Sequence, residues 1–323
     1  MIVNWKEIEE KGFIDEEIDQ DIDILKEIDK LRREKNAIIL AHYYQEGEIQ
    51  DIADYIGDSL DLAIKAKNND ADNIIFCGVK FMAESAKILN PDKNVILPDL
   101  EAKCPMAEKV DKNLLKIIIN ENQDAKIVSY INTTAEIKAI SDICCTSSNG
   151  VNVIKSIKSN KIIFIPDKNL GNFIKKQIPE KKFIIWPGIC PTHNRIHKNH
   201  ISNLKDQHKD AIILVHPECR QDVIEISNHA LSTNGMVNFV KNSKSKNFII
   251  GTERDLCYRL KKENPDKNFY PIKSAICPNM KKITIDKVLN SLINNEPRIN
   301  INSILMKKAR IPLERMMNIK RGD

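Results

Sequence analysis

Three cysteines, each followed by proline, stand at nearly equal intervals along this 323-residue chain. Cys104-Pro105, Cys190-Pro191 and Cys277-Pro278 are 86 and 87 residues apart. Each closes a similar stretch: NVILPDLEAKCP, KFIIWPGICP and NFYPIKSAICP. Such an interval marks a structural repeat, and three copies of one unit would bring three thiolates to one axis. Three thiolates at one point suggest a metal centre that is one ligand short.

Other landmarks keep the same period. The apolar runs AIILAHYYQ, AKIVSYINTT and AIILVHPEC begin at Ala37, Ala125 and Ala211, 88 and 86 residues apart. Each delivers a polar residue at its end: His42, Tyr130 and His216. Two residues on come Tyr44, Asn132 and Glu218, and 17 residues after the first set come Ser59, Ser147 and Thr233. A second apolar run follows in each copy: NIIFCG, KIIFIP, NFIIGT.

Length alone suggests about two domains, but the repeat argues for three. Expected units are 1–104 with 278–323, 105–190 and 191–277. Each is small for an independent core, so the three should pack tightly together. Short, continuous β-rich runs suit parallel strands buried on both faces. Between them, ADYIGDSLDLAIKAK, FMAESAKILN and LCYRLKKEN have helical spacing, and Asn90-Pro91 and Asn264-Pro265 stop two helices. Each unit therefore reads as strand, helix, strand, helix, strand. The expected fold is α/β: three pseudo-threefold-related αβα domains with parallel sheets and the metal centre at their interface. Ligands of such sheets bind beyond the carboxyl ends of the strands. An amphipathic helix with Ile18, Ile22, Leu25, Ile28 and Leu31 on one face precedes the first unit, and a helical tail follows residue 281.

No apolar run approaches the roughly 18 residues of a membrane span, and no signal-peptide pattern follows Met1. Eight cysteines in that context read as cytoplasmic thiols rather than a disulfide framework. The net charge of +5 is spread along the chain, with no basic block for nucleic acid.

Cysteine pairs of the zinc-ribbon or thioredoxin kind are absent. Iron suits three thiolates at a cavity: a four-iron cluster held by three cysteines leaves one iron open as a Lewis acid. The plainer alternative is that Cys104, Cys190 and Cys277 are buried core thiols. Around them, His42 and His216 can exchange protons near neutral pH, assisted by Tyr44 and Glu218. Ser59, Ser147 and Thr233 follow Asp58, Thr146 and Ser232, as at helix N-termini. Those termini serve as simple caps or bind carboxylates and phosphates. His193, three residues past Cys190, is either a loop histidine or a partner of the site.

From about Leu25 to ARIPLERMM the chain resembles the quinolinate synthase family. The motifs are AHYYQ, GDSLDLA, KFMAESAKIL, YINTTAEIKAISDICCTSSN, PDKNLG, GICPTH, HPEC and CPNMKKIT. The resemblance implies three α/β domains around a [4Fe-4S] cluster on Cys104, Cys190 and Cys277, with one iron open. Cys219 of HPEC breaks the period and is not implied as a ligand. It also implies condensation of iminoaspartate with dihydroxyacetone phosphate in de novo NAD synthesis. Tyr44, Glu218, His216 and His193 would move or orient protons. His42, Ser59, Tyr130, Asn132, Ser147 and Thr233 would hold substrate. A monomer or homodimer, and transient contact with the enzyme supplying iminoaspartate, fit the same reading. Lys103, Leu231 and GTERD depart from the family pattern. Two other readings stay open here: a different [4Fe-4S]-dependent hydro-lyase, and a non-enzymatic iron–sulfur sensor or electron carrier.

Overall fold

A computed structural model describes residues 23–322. Ile18 and Ile22 of the expected N-terminal helix lie outside the described residues. Within them a helix spans Ile24–Glu34, capped by Asp23, whose side chain accepts from Lys26 N–H. Its inward face differs from the expected one. Ile28 is buried and Ile24 and Leu31 pack against the core, but Leu25 is exposed.

Three four-stranded parallel sheets follow. The first contains β1 (Ala37–His42), β2 (Tyr55–Gly57), β3 (Asn73–Cys77) and β4 (Asn94–Ile96). The second contains β5 (Lys126–Tyr130), β6 (Ile143–Cys145), β7 (Lys161–Ile165) and β8 (Lys182–Ile185). The third contains β9 (Ile212–Val215), β10 (His229–Ala230), β11 (Asn247–Gly251) and β12 (Asn268–Pro271). The spatial orders are β2-β1-β3-β4, β6-β5-β7-β8 and β10-β9-β11-β12, the same arrangement each time. Each unit thus has four strands where the sequence suggested three. The extra strand is a two- or three-residue edge ahead of Ser59, Ser147 or Thr233. In the first unit it takes Tyr55–Gly57 out of the run expected to be helical; the helix is Ser59–Lys67.

The period recurs in the hydrogen bonds. Ile39, Ile127 and Ile213 each donate their backbone N–H, at 2.8 Å, to the side chain of Asp54, Asp142 or Asn228. Lys93, Lys181 and Lys267 each return their ammonium to backbone carbonyls, those of Asn69, of Ile157 and Ser159, and of Val240 and Ser243. The helices Lys80–Leu89 and Leu256–Glu263 stop where expected, with Asn90 and Asn264 donating back to the carbonyls of Ala86 and Leu260.

The largest hydrophobic core runs through all three units, from Ile39 and Phe76 to Val128 and Phe164 and on to Leu214 and Phe248. Units of this size gain by sharing one core rather than sealing three. The C-terminal helices are divided between units. Ile285–Asn294 packs on Ile24–Glu34 and β3, whereas Ser303–Met317 packs mainly on the helix Ala135–Ala139 and β6.

Candidate active site

The carboxyl ends of β1, β5 and β9 deliver His42, Tyr130 and His216 to one cavity of ≈ 250 Å³. Every cluster, proton-transfer and substrate candidate from the sequence lines it. Cys104, Cys190 and Cys277 share it with Tyr44, Asn132 and Glu218, with Ser59, Ser147 and Thr233, and with His193.

The three cysteines occupy equivalent loops. Each carbonyl accepts a bond four residues on, from Glu108, Asn194 or Lys281 N–H. Two residues before each cysteine, the carbonyls of Ala102, Gly188 and Ala275 accept from Lys80, Lys168 and Arg254 N–H at 2.8, 2.7 and 2.9 Å. A Cβ on Gly188 would fall 2.5 Å from the Pro166 carbonyl oxygen, which accounts for the glycine of GICP. Proline after Cys104 and Cys190 occupies the first helical position, where its missing N–H costs nothing. Burial comes first in raising the thiols: Cys104 is pushed up to about 12, with Cys277 and Glu218 adding to it. Cys190 is raised further, with contributions from Glu218 and Cys104.

Two buried carboxylates steady these loops, and the sequence reading missed both. Asp167 accepts Leu170 N–H at 2.7 Å and Cys190 N–H at 3.0 Å. Glu253 accepts Cys277 N–H at 3.3 Å and Asp255 N–H at 2.9 Å, with Lys281 Nζ 3.1 Å away. The signal was present. Both stand just past an apolar run, as His42 does, in PDKNLG and GTERD. Val79 holds the corresponding place in the first unit, without a carboxylate.

His42 and His216 are set alike. Tyr44 N–H donates to His42 Nδ1 at 3.1 Å and Glu218 N–H donates to His216 Nδ1 at 3.2 Å. Both rings are neutral: burial drives His42 down to about 4 and His216 well below its usual value. His42 therefore carries its proton on Nε2. For His216 two tautomers compete, because Glu218 Oε2 also lies 3.3 Å from Nδ1 and Ser147 Oγ lies 3.2 Å from Nε2. One tautomer gives Nε2–H to Ser147. The other gives up the bond from Glu218 N–H, turns Nδ1–H to Glu218 Oε2 and lets Ser147 donate to Nε2, the arrangement of a serine–histidine–acid relay.

A second chain of polar groups runs beside it. Tyr44 Oη lies 2.6 Å from Thr252 Oγ1 and 3.0 Å from Thr233 Oγ1. Thr252 Oγ1 lies 2.8 Å from His193 Nε2, and His193 Nδ1 faces Cys190 Sγ at 3.2 Å and Glu218 Oε2 at 3.1 Å. Burial holds the Tyr44 phenol well above its usual range, so it acts as donor rather than phenolate. Glu218 Oε1 and Asn132 Oδ1 are buried without a protein partner. Thr252 is fully buried and is another residue the sequence reading passed over.

Helix N-termini reach the cavity at two of the three expected places. Ser59 and Thr233 open helices capped by Asp58 and Ser232. In the second unit the helix starts later, at Gly150, and Thr146 instead donates its N–H to Asn149 Oδ1 at 2.8 Å. Ser147 is therefore presented by a turn and not by a helix end. Arg195 is the one arginine or lysine among the described residues lining the cavity.

Comparison with known proteins bears on this geometry. The family model described as quinolinate synthetase A protein matches residues 26–318. The chain belongs to the quinolinate synthetase A family. A quinolinate synthase of Thermodesulfovibrio yellowstonii is 52% identical over 296 residues, covering 91% of this chain and 98% of the relative. That of Caldicellulosiruptor saccharolyticus is 48% identical over 297 residues, covering 92% and 98%. That of Clostridium acetobutylicum is 46% identical over 302 residues, covering 93% and 100%. Membership agrees with the three parallel α/β units, and no described helix is long and apolar enough to cross a membrane.

Proposed function

We propose that this chain is a quinolinate synthase. It condenses iminoaspartate with dihydroxyacetone phosphate and releases phosphate and water, in de novo NAD synthesis. The observation that carries this reading is the convergence of three Cys-Pro loops and a ring of acid–base and hydroxyl groups on one cavity.

The donor set fits a [4Fe-4S] cluster on Cys104, Cys190 and Cys277. Among the described residues only Cys190, His193 and Glu218 form a trio of such donors within 4.8 Å of one another. The three cysteine sulfurs are thus spread beyond a single ion's sphere, yet close enough for Cys277 to perturb Cys104 and Cys104 to perturb Cys190. That spacing favours a polynuclear group. When bound, such a cluster supplies an open iron that polarises a hydroxyl or carboxylate oxygen.

The chain's own groups do the rest. Ser59 and Thr233 at their helix N-termini, with Ser147, Tyr130, Asn132, His42 and Arg195, hold phosphate and carboxylates. Glu218, which lines the cavity and has an unpartnered Oε1, takes a proton from carbon or nitrogen of the substrate. Tyr44 gives a proton to a departing oxygen and is recharged through Thr252 from His193. Ser147 and His216 carry protons on the other side of Glu218.

Anaerobic reconstitution with iron and sulfide, followed by assay for quinolinate, tests the reading. Activity should require both substrates, and Cys104→Ala, Cys190→Ala or Cys277→Ala should each lose the cluster while Cys219→Ala keeps it. Dehydration of a hydroxy acid without any need for dihydroxyacetone phosphate would point to another hydro-lyase instead.

A further inference from the structure

We propose that Cys190, His193 and Glu218 also bind one divalent ion of the Zn²⁺ class when the cluster is absent, and that this ion blocks cluster assembly. The ion site rests on coordination geometry, and its effect on assembly rests on the cluster proposed above. Sulfur, nitrogen and oxygen converge here: His193 Nδ1 is 3.2 Å from Cys190 Sγ and 3.1 Å from Glu218 Oε2. All three donors lie within 4.8 Å of one another. A tetrahedral zinc with its usual bond lengths has N···O and N···S edges of roughly 3.3–3.6 Å. The two edges from His193 Nδ1 are therefore within a few tenths of an ångström of that shape before any ion arrives, and the Cys190–Glu218 edge is no longer than 4.8 Å.

The surroundings suit an ion as well. Cys190 and His193 sit one turn apart on the short helix Pro191–Asn194 and its cap, so their side chains share a face. Thr252 Oγ1, at 2.8 Å, holds His193 by Nε2 and leaves Nδ1 to the ion, the role that outer partners play for metal-bound histidines. Glu218 Oε2 faces His193 Nδ1 at 3.1 Å and His216 Nδ1 at 3.3 Å, while its Oε1 is buried without a protein partner, so one carboxylate oxygen is uncommitted. Thiolate, imidazole and carboxylate together select a borderline ion over magnesium or calcium. Cys190 cannot serve this ion and a cluster at once, so excess zinc would hold the protein in a cluster-free form.

The test uses cluster-free full-length protein under anaerobic conditions, titrated with Zn²⁺ against a chromophoric chelator and with Co²⁺ as a spectroscopic probe. One ion per chain should bind, and the Co²⁺ spectrum should show tetrahedral bands with the sulfur charge-transfer intensity of a single thiolate. Cys190→Ala and His193→Ala should weaken zinc binding by about 100-fold or more, and Thr252→Val by about 10–100-fold. Cys104→Ala and Cys277→Ala should bind as the parent does. Zinc-loaded parent protein should fail to take up iron and sulfide until a chelator is added. Charge-transfer intensity of three thiolates, or equal loss of zinc binding in Cys104→Ala and Cys190→Ala, would overturn the proposal. So would cluster uptake undiminished by bound zinc. If variants misfold, the Co²⁺ spectrum of the parent alone decides between one thiolate and three. None of these outcomes depends on quinolinate being the product.

Discussion

Tyr44 and Glu218 hold equivalent places in the first and third units, two residues past a strand-end histidine, yet their environments separate their roles. Burial holds the Tyr44 phenol well above its usual range against the opposing effect of its two hydroxyl neighbours, so it is a neutral group with a proton to give. Glu218 lines the cavity and keeps one buried oxygen without a protein partner. Tyr44→Phe and Glu218→Gln should each lower quinolinate formation by about 10²–10⁴-fold, with the visible spectrum of the reconstituted protein unchanged. Turnover near that of the parent in both variants would move the proton chemistry to His193 or His216. His42 gives a pH test. Its folded value of about 4 lies below the ordinary 6.5, so below pH 6.5 the unfolded chain binds a proton that the folded chain refuses. Its contribution is whole above pH 6.5 and is lost as pH falls towards 4, at most about 3 kcal/mol. His42→Asn keeps an acceptor for Tyr44 N–H but cannot titrate, so its denaturant midpoint should fall less steeply between pH 6.5 and 4.5. An identical slope would show that the loss arises elsewhere. At this scale the repeat made most of the cavity wall legible, because strand-end positions recur with the period. Thr252, Asp167 and Glu253 were not picked out, since they support neighbours and have no like partner in the first unit.

Whole elements explain why the cysteines can be held in register. A parallel strand ends, and the third residue past it satisfies the loop arriving from the next strand. Lys80, Lys168 and Arg254 do this with their backbone N–H groups, and Asp167 and Glu253 add a buried carboxylate that receives the cysteine N–H. Asp167→Asn offers one oxygen where two N–H groups now bind, so either Leu170 or Cys190 would face an amide donor. The same holds for Glu253→Gln with Cys277 and Asp255. Each variant should lose about 1–3 kcal/mol of stability and retain less iron per chain after reconstitution. Full iron content with an unchanged denaturant midpoint in both would show that the cysteine loops do not need these carboxylates. The strand pattern was readable wherever a run was long and apolar. It failed at β2, β6 and β10, whose two or three residues are too short for any periodicity to register. Ser147 misled for a related reason: Thr146-Ser147 looks like a cap, but Asn149 claims the Thr146 N–H and delays the helix.

At the scale of the molecule, three sheets share one core, and the chain's end crosses from one unit to another beside the cavity. After the helix Ser303–Met317, Gly322 N–H donates to the Ser148 carbonyl at 2.7 Å, and Asn152 Nδ2 donates to the carbonyls of Lys320 and Arg321 at 3.1 and 3.2 Å. Both anchors belong to the second unit. Arg321 then reaches into the first: Nη1 to Asp58 Oδ2 at 2.8 Å, Nη2 to Asp58 Oδ1 at 3.0 Å and to Asp61 Oδ1 at 2.5 Å. Asp58 is buried, lines the cavity and caps the helix that presents Ser59. Burial disfavours its charge, and Arg321 more than offsets this, holding the carboxyl below its usual range. Without the guanidinium, two carboxylates would stand uncompensated beside a cavity proposed to bind anions. Arg321→Gln should therefore cost about 3 kcal/mol and raise the KM for the anionic substrates more than it lowers kcat. Adding Asp58→Asn to it should restore much of the stability, because an amide still caps the helix and no buried charge is left unpaired. If Arg321→Gln unfolds like the parent, or if the second substitution worsens it, the chain's end is only a tether and the charge at Asp58 is balanced by other groups.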